Sequence, residues 1–153
     1  TQLEALYDEI RIEDPRLPNA QRGVISKTAL ARLFAEVGPF ADYKDWSQVL
    51  RMGGLNLCPR TSGKYVGLTK ISRVGRSSIR VILNQIALPL VKRDRLYGPY
   101  QHHKTGVQKM PGKKAMTAVA RKLVKMIWGW YHSDAAFDPA RVFQCESQYR
   151  HAA

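Results

Sequence analysis

The distribution of charge is the feature that most constrains what this chain can form. From Trp46 to Ser133 the sequence contains seventeen Lys or Arg residues and a single acid, Asp94. Like charges at this density repel one another in a compact fold unless a polyanion neutralises them, and nucleic acid is the usual one. Residues 1–45 carry a net charge of −2, residues 46–133 of +16 and residues 134–153 of −1. The excess charge therefore predicts a localised basic surface.

Length and composition favour a packed globular protein. The chain has 153 residues, of which 44% are hydrophobic, enough for one domain or for a small domain with an appendage. Cys58 and Cys145 lie outside any disulfide or metal-binding pattern, so we expect a reducing compartment. The sequence contains neither an apolar run long enough to span a membrane nor a secretory signal.

Helical periodicity dominates the sequence and predicts a mainly α fold. Ser26 is a good N-cap for a helix that ends at Gly38, and Asp42 or Asp45 starts a short helix that closes at Gly53-Gly54. Residues 77–90 and a long basic segment from Lys113 to Tyr131 have apolar faces at helical spacing. Residues 55–68 read as a loop with a short hairpin, and residues 91–112 as a polar connector.

The chain divides into three parts. Residues 1–19 look like the last turns of a helix and a linker, with Leu3, Leu6, Tyr7 and Ile10 at helical spacing. Residues 20–133 form the basic domain, and residues 134–153 form a tail with a short helix at Asp138-Pro139. Because the chain opens without Met and inside a helical pattern, we expect it to be part of a longer protein.

The segment Arg22–Ala29 resembles half of a helix-hairpin-helix. In that motif a glycine-bearing hairpin brings the N–H groups at a helix N-terminus close to a DNA phosphate. Ile25 stands where the second glycine is usual, and the alternative is an ordinary capped helix after a turn.

Two helices carry rows of cations beside their apolar faces. Arg73, Arg76 and Arg80 are spaced by three and four around the start of the 77–90 helix. A second row on the long helix consists of Lys114, Arg121 and Lys125. A charged row is usually only a solvated face, but the scarcity of carboxylates leads us to expect no intramolecular partners for these cations. We therefore predict that they bind phosphates.

The phrase Pro59-Arg60-Thr61-Ser62-Gly63-Lys64 puts a hydroxyl between two cations on a turn. A serine is a poor nucleophile unless a base or metal activates it or cations stabilise the developing charge. From spacing alone, such a phrase is most often only a turn. Other residues have structural interpretations: His102-His103 as loop histidines, Trp128, Trp130 and Tyr131 as core anchors, and Cys58 as a small buried side chain.

In order along the chain, these segments resemble the C-terminal part of a DEDD-type insertion-sequence transposase, of the one-ten group related to Piv-type DNA invertases. The resemblance covers roughly residues 20–131. It rests on Gly23-Val24, Thr28-Ala29, Ala35–Gly38, Gly54-Leu55, Pro59-Arg60, Ser62-Gly63, Ile71-Ser72, Gly75, Arg80, Leu83, Lys113–Ala115, Ala118–Leu123 and Trp128. Arg73–Arg76 departs from the family's usual Lys-Arg-Gly-Asn.

The resemblance implies a function for Ser62. In this family a RuvC-like N-terminal domain holds an acidic tetrad, and with it a divalent metal such as Mg²⁺, while the helical C-terminal domain supplies a serine. The resemblance implies that residues 1–19 are the end of a coiled-coil-like helix that connects the two domains, with its linker. Transferred to this chain, the serine is Ser62, which attacks a DNA phosphodiester and forms a phosphoserine link during strand exchange. A structured RNA from the element, a homo-oligomer and a prokaryotic cytoplasmic location at the nucleoid are also implied.

Charge and proximity to Ser62 suggest Arg60, Lys64, Lys70 and Arg73 as phosphate-binding residues. Two alternatives remain. The chain could be a non-catalytic basic helix-hairpin-helix module that binds nucleic acid, or its basic region could pack against an acidic protein surface.

Overall fold

The computed structural model describes residues 1–20, 25–59, 61–93 and 97–133, and it confirms the mainly α fold. The helices are α1 Gln2–Glu13, α2 Lys27–Val37, α3 Trp46–Met52, α4 Ser77–Arg93, α5 Tyr97–Gly106 and α6 Gly112–Tyr131. The strands are β1 Leu57–Cys58, β2 Thr61–Ser62, β3 Tyr65–Val66 and β4 Lys70–Ile71. None of the described helices has the length and apolar character needed to cross a membrane. The helix predicted at Asp138-Pro139 lies outside the described residues.

The ends of several helices follow the capping residues of the sequence. The Ser26 side chain accepts a hydrogen bond from the backbone N–H of Ala29, and α2 ends at Gly38, which has a φ of +82°. Helix α3 begins after Asp45 and ends at Gly53. These boundaries are as predicted. At α2 the cap side chain satisfies a free backbone N–H, whereas Asp45 precedes α3 without a side-chain cap hydrogen bond.

Helix α4 is the centre of the core. It packs against α2, α5 and α6, while α1 lies on α2 and α3 lies on α6. The buried residues of α4 include those predicted from its periodicity: Ile79, Ile82, Leu83, Ile86 and Leu90. Helix α6 contributes a continuous apolar face, of which Val119, Leu123 and Ile127 are fully buried. The basic side chains are thereby left on the other faces of both helices.

An aromatic cluster closes the core around Phe40, in a 3-10 turn at Phe40–Asp42. The Phe40 ring centroid lies 4.7 Å from that of Phe34, 5.3 Å from that of Trp128 and 5.6 Å from that of Tyr131. Trp130 is half-buried against the same core. The three aromatic residues at the end of α6 are therefore core anchors, as predicted.

The prediction of a polar connector over residues 91–112 is wrong. Helix α4 continues to Arg93, and Tyr97–Gly106 forms α5, so His102 and His103 lie on a helix rather than in a loop. Tyr97 and Gly98 are buried, and a Cβ on Gly98 would lie 3.1 Å from the Val91 carbonyl oxygen. The small residue lets α5 approach the end of α4 closely, so packing stabilises a segment whose composition does not favour a helix.

Helix α1 is present as predicted, but its apolar stripe is narrower than its spacing suggested. Tyr7 is buried and donates a hydrogen bond from its hydroxyl to the Pro18 carbonyl at 2.8 Å. Leu3 is partly buried, whereas Leu6 and Ile10 are exposed. One edge of the helix therefore packs on α2, and the other faces outward.

Two backbone segments, residues 52–56 and 72–76, lie directly against each other and form what we call the backbone clamp. Three N–H groups of the second segment donate to carbonyl oxygens of the first. These hydrogen bonds are Arg76 to Met52 at 2.8 Å, Arg73 to Gly54 at 3.0 Å and Ser72 to Asn56 at 2.9 Å. The Ser72 hydroxyl also bonds the Asn56 side-chain oxygen at 2.6 Å. The clamp joins the end of α3 to the residues that precede α4.

Glycine is required at two positions of the clamp. Gly75 has a φ of +140°, and a Cβ there would lie 2.3 Å from the Met52 carbonyl oxygen. Gly54 has a φ of +65°, and its Cβ would lie 2.9 Å from the Arg73 carbonyl carbon. Both conformations are unfavourable for residues with a side chain, and both sites lack space for one.

We predict that Gly75→Ala destabilises the chain by about 3 kcal/mol or more, because it adds a backbone clash to a strained φ. Thermal or denaturant unfolding measures the loss. Gly112→Ala is the matched control: its Cβ would meet nothing within 4 Å and it lies at the start of α6. If Gly75→Ala lowers the free energy of unfolding no more than Gly112→Ala does, the clamp is not close-packed.

A polar network ties the end of α6 to the end of α1. The Tyr131 hydroxyl donates to Asp14 Oδ2 at 2.6 Å, and Arg16 Nε donates to Asp14 Oδ1 at 2.9 Å. The Arg16 guanidinium also lies 4.8 Å from the centre of the Tyr131 ring. The hydrogen bond from Arg16 is the main cause that lowers the pKa of Asp14 below its ordinary value. Burial opposes it, and the hydrogen bond from Tyr131 lowers the pKa further.

Tyr131→Phe is expected to destabilise the chain by about 1 kcal/mol at neutral pH, through loss of one hydrogen bond to a charged acceptor. Since the pKa of Asp14 is lowered on folding, its stabilising contribution is complete above its unfolded pKa of about 4 and is lost as the pH falls through the folded value. The difference between wild type and variant should therefore narrow in acid. Unfolding curves from about pH 7 to about pH 2 test this.

Tyr7→Phe is the control for that series, because the Tyr7 hydroxyl donates to a backbone carbonyl, which does not titrate. Its effect should stay constant over the same acid range. If the effect of Tyr131→Phe is equally constant, the Asp14 carboxylate is not the partner that matters.

Candidate nucleic-acid interface

Two short antiparallel ladders extend from the backbone clamp. Strands β1 and β4 pair with Leu57 opposite Ile71 and Cys58 opposite Lys70. Between them, β2 and β3 form a hairpin, which confirms the hairpin predicted for this region. The β1–β4 ladder was not predicted, because it joins residues far apart in sequence. Cys58 is half-buried rather than buried.

The hairpin turns through two central residues, Gly63 and Lys64. Gly63 has a φ of +57°, while Lys64 is not among the residues with positive φ. A positive φ at the first central residue alone is typical of a type II′ turn, whose twist matches that of the flanking strands. The glycine therefore determines the turn that places Ser62 and Tyr65 opposite each other.

Ser62 is exposed next to the turn. Its side chain makes no hydrogen bond to any described residue, so its hydroxyl is open to an external ligand. Directly opposed residues of an antiparallel pair point to the same face of the ladder, so Ser62 shares its face with Tyr65. Thr61 and Val66, the next opposed pair, point to the opposite face.

Three exposed cations lie in the hairpin turn or at the hairpin base, and none has a side-chain partner among the described residues. Lys64 lies in the turn, Lys70 in β4 and Arg73 in the clamp, and all three side chains are exposed. Within the described part of the chain, none of them forms an ion pair or a side-chain hydrogen bond. Arg73 adopts the left-handed conformation with a φ of +58°, held by its backbone bond to Gly54. Arg60 lies outside the described residues.

Arg76 and Arg80 differ from these three, because both contact protein oxygens. One Arg76 nitrogen donates to the Glu36 carbonyl at 2.8 Å and lies 3.9 Å from the Glu36 carboxylate. The half-buried Arg80 donates to the Gly53 carbonyl at 2.8 Å, at the end of α3. The expectation that these cations have no intramolecular partner is therefore wrong for both. Their predicted contact with phosphate would have to use their remaining donors.

The basic row of α6 is exposed at both ends. Lys114 and Lys125 are exposed, and Arg121 is half-buried, with an Nε that has no hydrogen-bond partner among the described residues. Lys125 Nζ lies 5.5 Å from the Trp46 ring, at the start of α3. The clamp lies at the other end of α3, a helix of seven residues that spans about 10 Å. Lys125 and the hairpin are thus attached to opposite ends of one short helix.

Carboxylates in the described residues are concentrated in the first third of the chain. Lys27 Nζ lies 2.8 Å from the Asp8 carboxylate between α2 and α1, and the Glu4 carboxylate accepts from the Thr28 hydroxyl. No group of three or more His, Cys, Asp or Glu side chains in the described ranges could hold a metal ion. These residues do not fit a catalytic metal, and we derive no metal-dependent step from them.

The helix-hairpin-helix prediction depends on residues 21–24, which are outside the described residues. Of that motif, the structure describes Ile25, which is buried, and the Ser26 cap of α2. The predicted contact of this hairpin with phosphate stays a prediction.

Sequence patterns did not reveal the positioning residues of the hairpin. Gly54 and Gly75 were recognised as turn or family residues, but not as partners in one close backbone contact. Tyr65 was not singled out either, although an aromatic residue three positions after a serine across a Gly-Lys turn is a signal that could have identified it.

Residues 23–101, about half of the chain, match a family model described as Transposase IS116/IS110/IS902 family. The matched region runs from the segment before α2 through the backbone clamp and hairpin into α5. It does not include α6, whereas the resemblance seen in the sequence covers roughly residues 20–131. No curated protein shows a significant match to the chain. The extent of the family match establishes that the chain belongs to the Transposase IS116/IS110/IS902 family.

Proposed function

We propose that this transposase chain binds DNA through the hairpin and its neighbouring cations, and that Ser62 is the nucleophile of strand exchange. The observation that carries the proposal is an exposed Ser62 hydroxyl next to the hairpin turn, with no hydrogen-bond partner among the described residues. Lys64 lies in the turn itself, and Lys70 and Arg73 lie at the base of the hairpin. Within the described residues, these three cations have no carboxylate partner. A phosphodiester is the ligand whose charge and shape suit that arrangement.

In the proposed step, Ser62 Oγ forms a bond to the phosphorus while the bond from phosphorus to one bridging oxygen breaks. The serine proton passes to solvent, and the departing DNA oxygen takes up a proton, so charge and protons balance. A phosphodiester is exchanged for a phosphodiester, and the energy of the bond is retained in the protein–DNA link. The reverse step, with a different DNA hydroxyl, completes the exchange.

Cations rather than a neighbouring base would supply the catalytic help from the described residues. The transition state places extra negative charge on the non-bridging oxygens, and preorganised cations stabilise that charge. Lys64 is two residues from Ser62 and would serve this role, while Lys70 and Arg73, at the hairpin base, would bind neighbouring phosphates. Because the three cations have no carboxylate partner among the described residues, no ion pair must be broken before they bind phosphate.

The proposal also includes the finer predictions drawn from the resemblance. The chain would be the C-terminal domain of a DEDD-type transposase related to Piv-type invertases, and a RuvC-like domain would hold the divalent metal. The Arg22–Ala29 hairpin and the row Lys114, Arg121 and Lys125 would bind further phosphates of DNA or of an element-encoded guide RNA. Association into a homo-oligomer would bring together the several active sites that strand exchange requires.

Ser62→Ala in the full-length transposase is expected to abolish recombination and the covalent protein–DNA link, with DNA affinity nearly unchanged, because the hydroxyl contributes little to the charge of the surface. Recombination assays and equilibrium binding measure the two effects. Thr61→Ala is the matched control, since Thr61 is also exposed but points to the opposite face of the hairpin. Normal recombination by Ser62→Ala would eliminate the nucleophile and leave a hairpin that only holds nucleic acid.

Lys70→Ala and Arg73→Ala are each expected to lower the slope of log K against log salt by about one, the value for one lost phosphate contact. Lys44→Ala is the control, because Lys44 is exposed and its substitution removes the same charge from a position outside the basic segment. An equal decrease in slope for Lys44 would indicate a non-specific effect of net charge. Arg80→Ala is less informative, because it also removes the hydrogen bond to Gly53.

A further inference from the structure

The hairpin exposes apolar side chains that do not contribute to the helical core. Relative exposures are 69% for Tyr65, 84% for Val66 and 73% for Leu68. Single apolar residues on a surface are common, but a run of them around a functional turn usually marks a contact with a partner. The Tyr65 ring is notable within this run, because it is large and flat and makes no ring contact or hydrogen bond to a described residue.

Tyr65 and Ser62 occupy the same face of the hairpin. They form the opposed pair nearest to the turn, and the Cβ atoms of such pairs are about 5 Å apart. A ligand that presents a phosphate to the Ser62 hydroxyl therefore brings its neighbouring groups over the Tyr65 ring. In a nucleic acid, the groups next to a phosphate are a sugar and a base.

Charge distinguishes a nucleic acid from a protein as the partner of this face. The sequence from Trp46 to Arg93 contains no Asp or Glu, and the exposed cation Lys64 directly precedes Tyr65, with the exposed Lys70 further along towards β4. A protein surface would have to supply both apolar area and several carboxylates at this one face. A nucleic acid supplies a stacking plane and regularly spaced anions within one molecule.

We propose that Tyr65 is a base-stacking residue, which binds an unpaired nucleobase next to the phosphodiester that Ser62 engages. This inference rests on the proposed function for the position of the base, but not for stacking itself. In an intact duplex, the base faces are covered by their neighbours, so an edge of the hairpin can stack only on a base that has left the helix. The hairpin would therefore bind melted or single-stranded DNA in preference to a duplex.

Such stacking would hold the target nucleotide against rotation while the serine attacks. Positioning of this kind contributes to catalysis by keeping the reacting atoms close and aligned. It would discriminate little between sequences, because every base has an aromatic face, with purines favoured by their larger area. The residue would thus select the state of the DNA rather than its sequence.

Binding of the full-length transposase in the Ser62→Ala background tests this inference apart from the chemistry. The probes are a single-stranded oligodeoxyadenylate containing a fluorescent adenine analogue and a duplex of the same strand. Tyr65→Ala should weaken single-strand binding on the order of 10-fold, the effect of one lost stacked base, and leave duplex binding and the salt slope unchanged. Tyr65→Ala should also abolish the quenching of the analogue's fluorescence, because quenching requires the stacked tyrosine ring.

Two further variants keep the test specific. Tyr65→Phe should retain both affinity and quenching, because stacking requires the ring and not the hydroxyl. Val66→Ala should leave the ratio of single-strand to duplex affinity and the quenching unchanged, since Val66 points to the other face and has no ring that could stack on a base. A misfolded variant would lose affinity for both probes equally. The ratio of single-strand to duplex affinity is therefore the deciding quantity.

An unchanged ratio for Tyr65→Ala would overturn the inference, as would an equal effect of Val66→Ala. Loss of self-association with unaltered nucleic-acid binding would also overturn it, and would indicate a protein contact at this face. If Tyr65→Ala lowers the ratio of single-strand to duplex affinity as predicted but Ser62→Ala recombines fully, the stacking site is retained and the nucleophile is rejected. The two proposals can therefore fail separately.

Discussion

The close contact between the backbones of residues 52–56 and 72–76 is the constraint on which the rest of the candidate site depends. Gly54 and Gly75 permit it, because any side chain at either position would overlap backbone atoms of the opposite segment. The contact fixes the end of α3 against the start of α4, which is the centre of the core. The hairpin that extends from the clamp is thereby held at a defined position on the helical domain.

Stability and the proposed function occupy different parts of the molecule. Apolar faces of α2, α4 and α6 and the ring cluster around Phe40 form the core, whereas every side chain from Thr61 to Val66 is exposed. The hairpin can therefore carry cations, a hydroxyl and an aromatic ring without a cost to core packing. Arg80 links the two parts: its guanidinium caps the end of α3 at Gly53, so a cation predicted to bind phosphate also stabilises the hairpin base.

Much of the fold could be predicted from the sequence, because caps and periodicity are local signals. Ser26, Gly38 and Asp45 mark helix ends, and the apolar spacing of α4 and α6 identifies their buried faces. The clamp, the β1–β4 ladder and α5 could not be predicted, since each depends on contacts outside its own segment. Glycine by itself disfavours a helix, but at Gly98 the absence of a side chain lets α5 pack closely on the end of α4. For the site, the hairpin and the exposed Lys64, Lys70 and Arg73 follow from composition, but the partners of Arg76 and Arg80 do not.

The nucleophile is identified by locating the covalent link that forms between the full-length transposase and DNA. Trypsin cleaves after Arg60 and Lys64, so a trapped and nuclease-treated complex yields a peptide from Thr61 to Lys64, separate from the one that begins at Tyr65. We predict that fragmentation mass spectrometry finds a nucleotide on Ser62 and no modification of Thr61 or Tyr65. A nucleotide on either of those residues or elsewhere in the protein, or recombination without any adduct, would contradict it.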